Sequence, residues 1–261
     1  LLISEKSFNS EIWIEVLQIL DKEIWKIFCE VLGVSKIGRQ KKIRSGPMRK
    51  SQVELLFGEN GVVCHKENTI VFEFDTTKVM FSSGNISERI RMSNFDCSDE
   101  IVLDLYAGIG YYTLPLLVHA NVKLLHACEM NPDSIGALKR NLHHNGVSEK
   151  CIIHEGNNRS ILSNPNIIGE VNRVMLGLLP SSRDGWDLAI QALNPKGGIL
   201  HLHGNSVAKE EEKWAKEVIE ELKKISEKLN RNFRFKLDHI EKVKSYAPKI
   251  NHVVLDIIVF K

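Results

Sequence analysis

Residues 103–115 read LDLYAGIGYYTLP: an apolar strand ends near an aspartate, two glycines follow, and the chain continues as a helix. Because glycine has no side chain, Gly108 and Gly110 let the backbone approach a ligand closely. The N-terminus of the following helix offers unpaired N–H groups to the same ligand. This stretch therefore predicts a binding turn between a strand and a helix, with Asp104 at the end of the strand.

The polar residues around the turn indicate what kind of ligand it binds. A dinucleotide-binding turn would have a third glycine at position 113, where this chain has Thr113. Glu129 closes the next predicted strand, 25 residues after Asp104, where its carboxylate can accept hydrogen bonds from both hydroxyls of a ribose. Tight glycine turns without a ligand are common, but the added acidic residue favours a nucleoside-type cofactor other than NAD.

From residue 101 onward, predicted strands and helices alternate around this turn. The predicted strands are 101–107, 124–130, 151–156, 173–179 and 197–204, and the predicted helices between them are 110–119, 132–145 and 184–193. This alternation is typical of a doubly wound α/β sheet with parallel strands. A long amphipathic helix follows, and the last two predicted strands, 232–247 and 252–260, have a short link that predicts an antiparallel hairpin.

The first part of the chain has a different pattern. Residues 8–32 have helical periodicity, and two short predicted strands, 61–66 and 69–75, follow. We therefore expect a small α+β module over residues 1–95 and a cofactor-binding domain over residues 96–261.

The composition excludes several classes of protein. Hydrophobic residues make up 43% and charged residues 26% of the 261 positions, as in an ordinary soluble globular protein. The net charge is +2, so a polyanionic partner must be held by a local basic patch. The apolar stretches have the length of strands, which argues against a membrane span, and no signal-peptide pattern opens the chain. The 5 cysteines are scattered without a C-x-x-C pair, which indicates reduced thiols, a cytoplasmic location and no metal site.

Several segments together resemble one family of class I S-adenosylmethionine (SAM) dependent transferases, which have a Rossmann-like sheet with a terminal hairpin. They are DLYAGIGYYTLPLLVHA (104–120), HACEMNPDSIGALKRNLHHNGV (126–147), GNNR (156–159), RVMLGLLPSS (173–182) and VKSYAP with HVVLDI (243–248 and 252–257). In this combination they resemble the wybutosine-synthesising enzyme 2 family over roughly residues 50–261. The resemblance implies an α/β enzyme with SAM as group donor, preceded by a small module that positions RNA.

The resemblance also implies a specific reaction. The 3-amino-3-carboxypropyl group of SAM would be transferred to a tricyclic guanosine derivative just 3′ of the anticodon in phenylalanine tRNA, with release of 5′-methylthioadenosine. A close relative of this family is the tRNA guanine N1-methyltransferase that acts at the same nucleotide. That methyltransferase and a catalytically silent tRNA-binding homologue are the two alternatives.

The fourth predicted strand favours aminocarboxypropyl transfer over methyl transfer. Methyltransferases of this fold that act on amines or guanine usually have an Asn or Asp beside a proline there, whose oxygen positions the attacked nitrogen. This chain has Leu178-Leu179-Pro180-Ser181 instead. Uridine C5-methyltransferases need a nucleophilic cysteine, and no cysteine of this chain lies in a plausible loop.

The resemblance implies residues for both substrates. The cofactor would be held by Ser82, Arg89, Asp104, Tyr106, Gly108, Gly110, Glu129, Asn157 and Asn158, and the base would be lined by Pro180, Ser181 and Tyr246. The family usually has an aspartate at position 157, and Asn157 can accept the same hydrogen bond without a charge. The segment that contains Ser82 and Arg89 has a second interpretation, as a helix that is capped by Ser87 and has Glu88 and Arg89 on its surface.

Two further features of the sequence can be interpreted as either functional or structural. The basic residues Lys41, Lys42 and Arg44 either contact tRNA phosphates or form a solvated surface. His201 and His203 point to one face of a strand, where packing or hydrogen bonding is more common than metal ligation. The expected partner is tRNA, no membrane or metal is expected, and a monomer is expected although the sequence leaves the oligomeric state undetermined.

Overall fold

The computed structural model describes residues 1–41, 46, 48 and 51–261. The chain divides into two compact units: residues 1–66 with 71–82, and residues 67–70 with 83–261. The division predicted from the sequence at residue 95 differs from this one by residues 67–70 and 83–95, which group with the second unit.

The first unit contains two helices, α1 (Glu11–Leu20) and α2 (Lys22–Leu32), and a sheet of β1 (Leu2–Ser4), β2 (Ile37–Gln40) and β3 (Val53–Phe57). The helical periodicity predicted over 8–32 is divided between α1 and α2 at Asp21, whose φ of 42° lies in the left-handed region. Strand β2 pairs in parallel with β1 and antiparallel with β3, and none of these three strands is predicted by the sequence pattern. The predicted pair of short strands is present as β4 (Val62–Glu67) and β5 (Ile70–Asp75).

The second unit is built on a seven-stranded sheet. Its strands are β6 (Ile101–Asp104), β7 (Leu124–Glu129), β8 (Cys151–Glu155), β9 (Arg173–Leu176), β10 (Gly197–Val207), β11 (Arg234–Ala247) and β12 (Ile250–Phe260). Its helices are α3 (Ile86–Ser93), α4 (Thr113–His119), α5 (Pro132–His144), α6 (Trp186–Ala192) and α7 (Glu211–Lys228). In the part of the chain that the structure describes, no helix is long and apolar enough to cross a membrane.

The strand order of this sheet is β11-β12-β10-β9-β6-β7-β8. Strands β6 to β10 pair in parallel, and β12 pairs antiparallel with both β10 and β11. The predicted α/β sheet with a terminal antiparallel hairpin is therefore confirmed. Because the chain runs outward from β6 in both directions, the order reverses between β6 and β9, and open sheets of this kind bind ligands outside the carboxyl ends of the strands at such a reversal.

Local sequence explains where the flanking helices begin and pack. The side chain of Asn131 caps α5 by accepting a hydrogen bond from the Asp133 N–H at 3.0 Å, and Pro132 occupies the first helical position. Helix α7 buries Ala215, Val218 and Leu222 along one stripe against the sheet.

Candidate functional site

Asp104 lies beneath the glycine turn and shapes it. Its carboxylate is fully buried and accepts hydrogen bonds from the Thr113 hydroxyl at 2.8 Å and from the Tyr106 N–H at 3.1 Å. Burial raises the pKa of this carboxyl group to about 6, although both hydrogen bonds lower it. Thr113 therefore has a structural role at the position where a dinucleotide-binding turn has its third glycine. Because its carboxylate is buried, Asp104 can affect cofactor binding only through the shape of the turn.

The turn itself requires glycine at two positions. Gly108 and Gly110 have φ values of 59° and 101°, which L-residues with a side chain rarely adopt. A Cβ atom on Gly108 would lie 2.5 Å from the Tyr111 ring, and one on Gly110 would lie 2.9 Å from Leu114. The predicted succession of strand, turn and helix is therefore present at this edge of the sheet.

Glu129 joins the turn to the neighbouring strand. One carboxylate oxygen, Oε2, accepts a hydrogen bond from the Gly108 N–H at 2.8 Å. The other, Oε1, accepts from the N–H groups of Met130 at 2.9 Å and Asn131 at 2.7 Å. A carboxylate has about four acceptor positions, so one remains for a hydroxyl group in addition to these three. That position suits one ribose hydroxyl rather than the two expected from the sequence, and the contact with a ribose stays a prediction.

The loop after β8 lies at the same edge of the sheet. Asn158 donates a hydrogen bond from Nδ2 to the Leu105 carbonyl at 3.3 Å, which ties this loop to the end of β6. Asn157 is exposed, and its side-chain oxygen accepts from the Arg159 N–H at 2.9 Å, which caps a short 3-10 helix. Asn158, Glu129 and the glycine turn are thus brought together at the carboxyl ends of three neighbouring strands.

The segment after β9 is the predicted wall of the base pocket. The Leu179–Pro180 peptide bond is cis, and the Pro180 carbonyl accepts a hydrogen bond from the Asn205 N–H at 2.9 Å. Ser181 is exposed, forms an isolated bridge with Gly204, and accepts a hydrogen bond at Oγ from the Arg183 N–H at 3.2 Å. The segment therefore runs beside the end of β10.

Tyr106 links this segment to the glycine turn. A Cβ atom on Gly185 would lie 2.6 Å from the Tyr106 hydroxyl, so the tyrosine ring packs against the start of α6. At the strand ends themselves, the Leu105 N–H donates to the Met175 carbonyl at 3.1 Å. Of the predicted residues, the glycine turn, Glu129 and Asn158 thus lie at strand ends next to the one that Pro180 and Ser181 follow.

Arg89 and Ser82 do not belong to this group of residues at the strand ends. The guanidinium of Arg89 is buried at 2% exposure and pairs with Glu67, with Nη2 and Oε2 at 2.9 Å and a second, shorter contact from Nε. Its charge is therefore balanced by a carboxylate of the protein, and a contact with the cofactor stays a prediction. Ser82 belongs to the first unit.

The predicted RNA-binding residues are spread over both units. Lys41, in the first unit, is exposed and forms an ion pair with Glu54 at 3.0 Å. Lys42 and Arg44 lie outside the described residues. Tyr246, on β11 of the second unit, is 48% exposed.

A buried polar layer between the sheet and α3 was missed by the sequence analysis. His201 bonds Asp256 at 2.6 Å through Nδ1 and Arg173 at 2.6 Å through Nε2, so it is a hydrogen-bonding residue. Asp256 also pairs with Arg91, which reaches Glu88 on its other side. The partners lie on separate elements, so the sequence carries no local signal that joins them.

A histidine pair forms a second part of that layer. The rings of His203 and His252 are joined at 3.0 Å, from Nδ1 to Nε2, and the Tyr112 ring lies 4.7 Å from the His203 ring. His252 stands at the start of β12, opposite Asn205 in the antiparallel ladder. The pair follows from the register of β10 with β12, which alternation within one strand cannot reveal.

Comparison with known proteins gives relatives along nearly the whole chain. A protein from Arabidopsis thaliana named tRNA wybutosine-synthesizing protein 2/3/4 is 46% identical over 251 residues, which cover 96% of this chain and 24% of that protein. The tRNA wybutosine-synthesizing protein 2 homolog of Danio rerio is 41% identical, over 98% of this chain and 68% of that protein. The chain thus spans about a quarter of the length of the plant relative.

A solved structure identifies the class of fold to which the sheet belongs. The crystal structure of Pyrococcus horikoshii TYW2 in complex with MeSAdo superposes with a TM-score of 0.77 at 31% identity and covers 94% of this chain and 85% of that one. The sheet is accordingly that of the class I SAM-dependent transferases. The family model described as the TRM5/TYW2 methyltransferase domain matches residues 63–234, a range that includes the glycine turn, Glu129 and the segment after β9. By that match, this chain belongs to the TRM5/TYW2 methyltransferase-domain family.

Proposed function

We propose that this protein transfers the 3-amino-3-carboxypropyl group of SAM to a tricyclic wyosine-precursor base of tRNA. The by-product of this reaction is 5′-methylthioadenosine. Relatives of this chain carry the name tRNA wybutosine-synthesizing protein 2, and the P. horikoshii relative was crystallised with MeSAdo, methylthioadenosine. The arrangement of Gly108, Glu129 and Asn158 at three strand ends supports a nucleoside ligand at the same edge.

The segment after β9 is the observation that favours this reaction over methyl transfer. A nitrogen that accepts a methyl group needs a polar partner that orients its lone pair and lowers the pKa of its N–H group. The strand ends in Leu176 and continues as Gly177-Leu178-Leu179-Pro180, without an amide or carboxylate. The next hydroxyl along the chain, of Ser181, accepts a hydrogen bond from the Arg183 N–H. A carbon nucleophile of an electron-rich base needs less such help and can be held by shape and stacking.

Positioning decides the outcome in this proposal. The sulfonium of SAM activates all three carbons attached to sulfur, so the protein selects the product by the carbon that it presents to the base. The glycine turn, Glu129 and Asn158 hold the adenosine part of SAM. Pro180 and Ser181 line the base, which is everted from the anticodon loop to reach them.

The proposed partner is phenylalanine tRNA, and the modified base is the one just 3′ of its anticodon. Tyr246 flanks the base, while Lys41, Lys42 and Arg44 contact phosphates of the tRNA. The protein acts in the cytoplasm and acts as a monomer.

Quantifying the two nucleoside by-products tests this proposal directly. The protein is incubated with SAM and with tRNA from cells that are blocked at this step, and both by-products are measured. We expect 5′-methylthioadenosine in proportion to the modified base. S-adenosylhomocysteine as the sole by-product would overturn the proposal in favour of a guanine N1-methyltransferase. Neither by-product, with no heat on titration with SAM, would indicate a silent tRNA-binding homologue.

A further inference from the structure

The buried pair His203 and His252 leaves a nitrogen unbonded at each end. His203 is 1% exposed and His252 is fully buried. Their joined nitrogens, Nδ1 of His203 and Nε2 of His252, lie 3.0 Å apart. The outer nitrogens, Nε2 of His203 and Nδ1 of His252, are buried without a hydrogen-bond partner within the described residues. Buried polar atoms are rarely left unpaired, so two in one pair call for an explanation.

The hydrogen bond between the rings restricts where protons can reside. A neutral imidazole has one N–H donor and one acceptor nitrogen, and the inner bond uses one of each. If His203 donates from Nδ1, then its Nε2 is an acceptor and His252 Nδ1 carries a proton. The opposite arrangement exchanges all of these roles. Adding a proton at one outer nitrogen and releasing one at the other therefore converts the first arrangement into the second.

The backbone of β10 at His203 lies beside the predicted base-lining segment. The Ser182 hydroxyl donates to the carbonyl of His203 at 3.2 Å, and the Asn205 N–H donates to the Pro180 carbonyl at 2.9 Å. On the other side, the His203 ring contacts Tyr112, which belongs to the glycine turn. A Cβ atom on Gly177 would lie 2.9 Å from the same tyrosine ring. His203 is thus in contact with both halves of the proposed site.

We propose that His203 accepts the proton that the modified base loses, and that His252 relays this proton toward solvent. This inference rests on the proposed function. The π electrons of the base form the new bond to the γ-carbon of the methionine part of SAM. The electrons of the broken C–S bond pass to sulfur, which leaves as the neutral thioether of 5′-methylthioadenosine.

The proton balance of the step gives the pair its role. The attacked carbon then bears both its hydrogen and the new substituent, and the ring carries a positive charge until that hydrogen leaves as a proton. Nε2 of His203 takes the proton, Nδ1 of His203 passes its own to Nε2 of His252, and Nδ1 of His252 releases one. In this proposal the proton leaves toward β11, the edge strand of the sheet, where Lys244 stands opposite His252 in the ladder.

The protonation state of both rings supports this role. Burial, with the neighbouring His252, lowers the pKa of His203 well below its ordinary value. Burial also lowers the pKa of His252 to about 4. Both rings are therefore neutral at pH 7 and able to accept a proton. A weak base suffices here because a cationic ring that must recover its aromaticity is a strong carbon acid.

The test uses single-turnover transfer with SAM in excess and precursor tRNA that carries hydrogen or deuterium on the attacked carbon. The variants are His203→Gln and His252→Gln, and formation of the modified nucleoside is followed by mass. A matched control exists in the chain, because His126 and His154 form a similar pair at 3.0 Å, and Nε2 of His126 also lacks a partner in the described structure. That pair lies on β7 and β8, so we expect His126→Gln to react like the parent.

We expect His203→Gln to slow transfer by roughly a hundredfold, since general acid–base catalysis typically contributes about 10² to 10⁴. SAM and tRNA binding should stay unchanged, and a primary deuterium isotope effect absent from the parent should emerge because proton loss becomes limiting. His252→Gln should show the same isotope effect with a smaller loss of rate, and it decides the question if His203→Gln does not fold.

Two results would overturn the relay while leaving the proposed function intact. One is parental rates in both variants. The other is a slower reaction without any isotope effect, which would give the pair a structural role. A parent protein that forms neither 5′-methylthioadenosine nor modified nucleoside would instead contradict the proposed function, and the relay with it.

Discussion

The carboxylate of Glu129, at the end of β7, accepts a hydrogen bond at 2.8 Å from the backbone N–H of Gly108, in the turn after β6. The same side chain accepts two N–H groups of its own loop, from Met130 and Asn131. One charge thus holds the glycine turn and the start of the next loop together. The glycine turn and Glu129 form a single hydrogen-bonded structure. The ligand expected there would contact both of them.

Glu129→Ala should weaken SAM binding by at least tenfold. The variant loses charge-assisted hydrogen bonds worth about 1.5–3 kcal/mol each, both to the ribose and to the Gly108 N–H. Calorimetric titration with SAM measures the loss. Glu155→Ala is the matched control, because Glu155 ends the neighbouring strand but is exposed and pairs with Lys139 at 2.6 Å. An affinity in Glu129→Ala equal to that of the control would show that this strand end does not bind the ribose.

Asn157→Asp should tighten SAM binding by roughly tenfold, because a charged acceptor forms a stronger hydrogen bond with the adenine amino group. The change places no charge in the interior, since Asn157 is exposed, and aspartate can keep the bond to the Arg159 N–H. Asn166→Asp adds the same charge at another exposed position of this unit and serves as the control. Equal affinities in the parent and both variants would remove position 157 from the adenine site.

Glu88→Gln should make the stability of the protein less dependent on pH. Glu88 is fully buried, and burial raises its pKa to about 7 although Arg91 binds both carboxylate oxygens at 2.8 Å. The folded state therefore binds more protons than the unfolded state between the ordinary value of 4.5 and about 7. The stability that this group confers is fully present below that window, falls as the pH rises through it, and is lost above it.

Urea unfolding at pH 5 and pH 8 measures this effect. The parent should lose up to about 3 kcal/mol more than Glu88→Gln across this interval. Asp256 and Glu241 also lie near Glu88, and both are unchanged in the variant, so the difference between the two proteins isolates the titration of Glu88. Identical losses would mean that Glu88 is ionised throughout the interval.

Replacing Lys41, Lys42 and Arg44 together by alanine should raise the apparent KM for tRNA without changing SAM binding. Each lost phosphate contact should reduce the slope of log affinity against log salt by about 0.7–0.9. Lys213, Lys216 and Lys223, on α7, provide a control of equal charge change. If both triple variants keep the parental salt slope, the run at 41–44 is a solvated surface.

Much of the site can be predicted from sequence because its geometry is local. The left-handed φ values of Gly108 and Gly110 depend on the absence of a side chain at those positions. The start of α5 depends on Asn131 and the proline that follows it. The alternation of elements predicts the parallel sheet, and parallel strands bring Asp104 and Glu129 to the same edge without further information.

Local patterns fail where pairing is long-range or a single residue breaks a periodic run. Strands β1 to β3 are short, and they form because residues distant in sequence pair with them, as Leu2 does with Gly38. Asp21 interrupts an apolar periodicity that continues on both sides of it. In both cases the contacts that decide the structure lie outside the window in which a pattern is visible.

The sequence by itself therefore determined the α/β fold, the glycine turn and the acidic strand end, since each depends on neighbours in the chain. The tertiary structure alone decided the partners of buried polar groups. Arg89 meets Glu67, and His203 meets His252, through contacts between elements separate in the chain. The physical reason is that a buried charge or ring nitrogen must find its partner across space, and the register of packed elements, rather than local composition, sets which group stands opposite.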